Sequence, residues 1–203
     1  MNAFAGIGMG AIQTGLFLPR ARDAGLESTL LVRDRRLAEG VERAGRIVVN
    51  VAGADGIVQE EVPGIGIRVL GDPDCCDDLV AAGEITIAVS TVSDYAGLAG
   101  LLAAAMGRKA AGEGPPCLLY ACQNEAGAAD SLTQAIMNAG GVGRMFQAVD
   151  MVIGKMSRTI RDAGECARLG LVPAFPGAGH AWLVEAYDTI HMSQVDRRKG
   201  VER

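Results

Sequence analysis

Hydrophobic and polar positions follow two periods along the chain, and the periods alternate. Ala3 to Gly8 is a short apolar run, as a strand buried on both faces presents. Ala11 to Ala24 carries helical spacing, with Pro19 expected to kink or end the helix and Gly25 placed to stop it. Ser28 to Asp34 reads as a second strand. Arg35 to Ala44 reads as a helix with Leu37, Val41 and Ala44 on one face. Three β-like segments follow, Arg46 to Val51, Ile57 to Val62 and Ile67 to Leu70. Turn signals at Gly53-Ala54-Asp55-Gly56 and Pro63-Gly64 separate them, which predicts a small meander.

The alternation then resumes. Asp74 to Ala82 predicts a short helix, Ile85 to Thr91 a strand, and Tyr95 to Ala111 an Ala/Leu-rich helix. After the loop Gly112 to Pro116 come a strand at Cys117 to Cys122 and a helix at Glu125 to Ala139, ended by Gly140-Gly141. Met145 to Ile153 is strand-like, Leu169 to Gly179 reads as loop, and Trp182 to Ile190 as a last strand. The sum is βαβ, a meander, then βαβαβ. This predicts an α/β fold with a doubly wound, mostly parallel sheet of the Rossmann type, helices on both faces and a small β-meander insertion. The expected domain covers 1–190, with 191–203 a tail.

The first strand runs into Gly6-Ile7-Gly8-Met9-Gly10-Ala11-Ile12-Gln13-Thr14-Gly15. Two frames fit a dinucleotide fingerprint. One is Gly6, Gly8, Ala11; the other is Gly8, Gly10 and then Gln13 where the third glycine belongs. The first glycine makes a tight turn, the second lets a pyrophosphate approach the backbone, and the third lets helix and strand pack closely. The helix start then offers N–H groups to the phosphates, so Gly8, Gly10, Ala11, Ile12 and Gln13 are candidate cofactor residues. Asp34 follows at roughly the 20-residue spacing expected of a ribose-binding carboxylate. It would accept from the ribose hydroxyls and repel a 2′-phosphate, which favours NAD over NADP. Arg35, beside Arg33 and Arg36, is the candidate for facing that phosphate; the bland reading is a solvated helix start.

Composition narrows the classes. The chain has 203 residues, a formal net charge of −5 and no basic stripe to neutralise phosphates, so nucleic acid is not an expected partner. No apolar run reaches membrane-spanning length, and no basic n-region opens the chain. The five cysteines form no CxxC pair, which argues against zinc and a disulfide framework and fits a cytoplasmic location. No metal is expected.

Four blocks resemble one family: GMGAIQTGLF from Gly8, LLVRD ending at Asp34, TIAVS from Thr86, and PPCLLYACQNEAGAADSLTQAIMNA from Pro115, with Ala148-Val149-Asp150 behind them. In order and spacing the chain resembles the N-terminal domain of mannitol-1-phosphate 5-dehydrogenase and the polyol-specific long-chain (mannitol) dehydrogenases. The resemblance implies an NAD-dependent oxidoreductase that interconverts a secondary alcohol and a ketone on a sugar alcohol or sugar phosphate. It also implies a lysine general base in a helical C-terminal domain, absent from these 203 residues. Gln13, Gln123 and Met151 depart from the family pattern, each removing charge or close approach near the expected site.

Outside the glycine loop the candidates are few. Ser90 and Thr91 close one strand, and Asn124 lies just past another, at the edge where α/β ligands bind; Asn124 could equally cap a helix. His180 and His191 are weak acid/base candidates whose ordinary reading is structural or solvated. Lys155 could approach the same edge, although an exposed lysine is the plainer expectation. Cys122 reads as a buried small hydrophobe. No catalytic residue is assigned. Besides the enzyme, two readings stay open: a stand-alone dinucleotide-binding or redox-sensing module without catalysis, and a structural remnant. An apolar patch is expected where a second domain would dock, or where a homodimer would form.

Overall fold

The computed structural model describes residues 3–187 and 189–196. Residues 197–203 of the expected tail lie outside the described residues. β1 (Ala3–Ile7) leads into a helical run whose first part contains a π turn over Gln13–Phe17 and whose α-helical continuation is α1 (Leu18–Asp23). β2 (Glu27–Val32) and α2 (Arg35–Ala44) follow, then β3 (Arg46–Gly53), β4 (Gly56–Pro63) and β5 (Gly66–Val69). Next come α3 (Cys75–Ala81), β6 (Ala82–Ile87), α4 (Tyr95–Ala110), β7 (Cys117–Ala121) and α5 (Ala128–Asn138). The chain continues with β8 (Phe146–Ile153), β9 (Ser157–Ile160), α6 (Ala163–Leu169), β10 (Ala181–Glu185) and β11 (Ile190–Met192).

Two sheets result. The larger has seven strands in the order β5-β2-β1-β6-β7-β8-β11, all parallel to their neighbours except β11, which runs antiparallel to β8. The order reverses at β1, with β2 on one side and β6 on the other, so the fold has a Rossmann-type switch point there. The smaller sheet has the order β4-β3-β10-β9.

The expected meander divides between the sheets. β3 and β4 form an antiparallel hairpin in the small sheet, while β5 joins the large one parallel to β2. Gly66 allows this approach, since a Cβ there would stand 2.8 Å from Thr29 Oγ1. The expected single last strand also divides. β10 pairs in the small sheet, and β11 crosses the expected 190/191 boundary to pair at the edge of the large one.

The core follows these layers. α3, α4 and α5 bury Leu79, Leu102, Met106, Leu132 and Ile136 against one face of the large sheet. On the other face, α2 and the small sheet enclose Leu30, Val41, Ile47, Val49 and Trp182. Gly15 brings the π turn down onto β10, where any Cβ would meet Val184 Cγ1 at 2.5 Å. Pro19 does not end the helix. An α-turn there would need the missing Pro19 N–H and would press the ring on the preceding carbonyl. Widening the turn, with Leu18 N–H donating to Gln13 O, lets the helix run on to Asp23.

Candidate functional site

The glycine loop crosses the switch point. At Gly8 the chain turns with φ +98°, and a Cβ would stand 2.2 Å from Ala88 O on the neighbouring strand's end. Gly8 is therefore the turn glycine of the fingerprint. Gly10 meets nothing within 4 Å of an added Cβ, so its small size answers no packing demand within the protein. It leaves the backbone open to a ligand, as a pyrophosphate approach requires. The helix begins at Ala11, and Thr14 binds back to Gly10 O through both its N–H and its hydroxyl.

These positions select the frame Gly8, Gly10, Gln13. Gln13 is fully buried and turned inward. Its Oε1 accepts from Thr86 Oγ1 at 2.8 Å, and its Nε2 has no partner among the described residues. The room comes from Gly6, where a Cβ would stand 2.1 Å from Gln13 Nε2 and 2.7 Å from Leu30 Cδ2. Strand and helix have thus exchanged sizes: the strand carries the glycine and the helix carries the side chain.

A cleft of about 580 Å³ opens above the loop, within the range of small-molecule sites. Its floor is Gly8 to Gln13, and one end is Val32, Arg33, Asp34 and Leu37. Ala88, Val89, Ser90 and Cys122 line the other end, and Ser157, Thr159 and Arg161 contribute a further wall. Asp34 stands two residues past β2 as the N-cap of α2. Its Oδ1 accepts from the N–H groups of Arg36 (2.9 Å) and Leu37 (3.3 Å), so Oδ2 is not consumed by the cap. Arg33, not Arg35, borders the cleft, and it pairs with Asp94 at 3.1 Å. Arg35 pairs with Asp72 at 3.2 Å in a separate depression. Thr91 is also outside the cleft lining. It caps the turn Val92–Asp94, with Asp94 Oδ2 accepting from its N–H and its hydroxyl.

The strand ends around the cleft are cross-braced. Buried Tyr95 donates its hydroxyl to Gln123 Oε1, and Gln123 Nε2 donates to Val89 O, tying the β7 end to the β6 end. Burial, with Cys122, Asp150 and Glu125 nearby, pushes the Tyr95 phenol up, so it stays a donor. Gln123 thus serves as the centre of this brace. Asp150 Oδ1 accepts from Ala129 N–H at 2.8 Å and so pins the start of α5. Burial also raises the Cys122 thiol, which leaves it protonated at neutral pH and unsuited to nucleophilic attack.

Beside the cleft, sharing Ile12, Cys122 and Ser157 with it, lies a second cavity of about 540 Å³. Asn124 and Lys155 line it. Asn124 Oδ1 accepts from Ile153 N–H at 3.4 Å. Lys155 is buried, contrary to the expected exposed lysine, where the chain passes from β8 of the large sheet to β9 of the small one. His180 packs edge-on against Trp182, with centroids 5.1 Å apart, and against Phe175 at 6.1 Å; it is not among the cleft-lining residues. His191 lies exposed on β11. Among the described residues no group of three or more His, Cys, Asp or Glu side chains is gathered as a metal site would be. No helix of the described residues is long and apolar enough to cross a membrane. Of the exposed apolar side chains, Val152 lies on β8, Met156 in the β8–β9 connection and Tyr187 in the β10–β11 connection.

No protein-family model matches the chain, and no curated protein matches it in sequence. Solved structures match it in fold. D-sorbitol dehydrogenase in substrate-free form superposes with a TM-score of 0.72 at 10% identity, over 98% of this chain and 53% of that one. Octopine dehydrogenase with NADH and L-arginine superposes with a TM-score of 0.56 at 16% identity, over 96% of this chain and 42% of that one. The chain spans about half the length of these structures. At such identities the likeness is one of fold, a Rossmann-type dinucleotide-binding architecture.

Proposed function

We propose that the chain is the NAD-binding half of a dehydrogenase that interconverts a secondary alcohol and a ketone on a sugar alcohol or sugar phosphate. The cleft over Gly8 and Gly10 at the switch point carries this reading. Gly8 holds the turn, Gly10 leaves the backbone bare, and the helix from Ala11 presents its first N–H groups to a diphosphate. Asp34 Oδ2 stands at the end of the cleft where the adenosine ribose belongs in this fold, and there a carboxylate disfavours the extra phosphate of NADP.

NAD, when bound, accepts or supplies a hydride. The residues of this chain bind and orient it. Ser90 and Cys122 border the end of the cleft that leads to the second cavity, where Asn124 and Lys155 offer an amide and an ammonium to the reacting partner. The choice of a polyol rests on the four sequence blocks and on the fold shared with D-sorbitol dehydrogenase. In this reading the general base comes from a helical second domain.

Calorimetric titration of the purified chain with NADH and with NADPH tests the proposal. NADH binds, at least about tenfold more tightly than NADPH, and Asp34→Ser narrows the gap. Failure to bind either nucleotide, or a preference for NADPH, overturns it.

A further inference from the structure

The small sheet contributes a wall to the cleft that the glycine loop does not explain. β9 has strict period-two alternation. Ile160 points into a small apolar cluster with Leu171 and Ala181, while Ser157, Thr159 and then Arg161 face the cleft. Arg158, on the opposite side of the strand, is neutralised by Glu165 at 3.1 Å. Among the described residues Arg161 has no ion-pair partner, so an uncompensated positive charge borders the cleft.

The position of this wall is fixed through β10. Ser157 pairs with Val184, and Val184 is the residue that sits on Gly15 of the π turn. Ser157 therefore stands beside the start of the helix, where it shares the cleft lining with Ile12. Thr159 and Arg161 extend the row along the same face toward His180, whose pKa is lowered first by burial and then by the Arg161 charge.

Two hydroxyls and a guanidinium in one row are donors for oxyanions. The helix start lines the same cleft, and its N–H groups suit the same chemistry. We propose that β9 and Arg161 after it form a second phosphate-gripping wall: Ser157, Thr159 and Arg161 hold the diphosphate of the bound nucleotide together with the glycine loop. This rests on the dinucleotide reading of the cleft and adds to it a group outside the fingerprint.

Titrations of the full chain and its variants with NADH, ADP and adenosine test the wall, because adenosine lacks the phosphates. Arg161→Met weakens NADH and ADP by about tenfold or more, as loss of a charged hydrogen bond does, and leaves adenosine unchanged. It also flattens the salt dependence of ADP affinity. Thr159→Val costs about two- to tenfold on NADH and ADP and leaves adenosine unchanged. Arg161→Lys keeps the charge and retains most of the ADP affinity, which separates loss of charge from a folding defect. If the wild-type chain binds neither NADH nor ADP, the dinucleotide reading itself fails. If the wild type binds both and Arg161→Met matches it, the wall is refuted. Equal losses for adenosine and ADP refute it too, since Arg161 would then act on the nucleoside or on the fold.

Discussion

Gln13 shows how a fingerprint residue can be replaced without losing the loop. Its side chain occupies space that the strand vacates at Gly6, so the two positions should be coupled. Gly6→Ala alone forces the Gln13 amide and Leu30 to move and should cost about 1–3 kcal/mol, as overpacking does. Gly6→Ala combined with Gln13→Ala should recover most of that loss in denaturant unfolding, and two additive losses would show that the exchange of sizes is wrong. His180 gives a second residue-level test. Its pKa is lowered, chiefly by burial among Phe175 and Trp182, so the folded chain binds its proton less readily than the unfolded one. Its contribution is intact above the ordinary value of 6.5 and is lost as pH falls through that value toward the lowered one. The melting temperature should therefore drop between about pH 7.5 and pH 5.5, and the drop should shrink in His180→Phe. An identical drop in that variant would assign the effect elsewhere.

At the scale of elements, the local signals were readable and the long-range pairings were not. The loop from Gly8 to Gln13, the β2–α2 junction at Asp34 and the runs at Ile85 and Cys117 announce themselves by period and turn chemistry. β5 does not declare its sheet, because Ile67 and Val69 alternate as well in a hairpin as beside β2. β9 has four residues, with only Ile160 in an apolar cluster, and its partner β10 lies beyond α6 and a long loop. Arg161 acquired its place from that pairing, so spacing alone could not reveal it, whereas Lys155 was legible as a residue near the strand edge and only its burial was not. Arg35 and Thr91, both expected at the cofactor, hold an ion pair with Asp72 and a turn with Asp94, roles that only the folded chain shows. Asn50 makes the long loop after α6 an ordered element. Its amide donates to Val172 O (2.9 Å) and Trp182 O (3.0 Å) and accepts from Val172 N–H (2.9 Å) while fully buried. Asn50→Ala should cost about 2–3 kcal/mol, because it orphans backbone groups that water cannot easily reach. Unchanged denaturant stability would mean that the loop is anchored elsewhere.

Across the whole molecule, the two sheets meet around one cleft. The large sheet supplies its floor and ends through the β1, β2, β6 and β7 termini, and the small sheet supplies a further wall. Gly15 against Val184 joins the two, so the wall and the glycine loop are held in register by packing within the protein. The two loop glycines therefore differ in task. Gly8 is demanded by the fold, since its φ and Ala88 O both exclude a side chain, whereas Gly10 is demanded only by what enters the cleft. The direct measurement is NADH affinity and melting temperature for the wild type and Gly10→Val, taken side by side. The account predicts that the wild type binds NADH and is stabilised by it. Gly10→Val should melt at the same temperature without ligand and lose NADH binding by at least about a hundredfold. A Gly10→Val chain that folds normally and binds NADH as the wild type does would contradict the dinucleotide site.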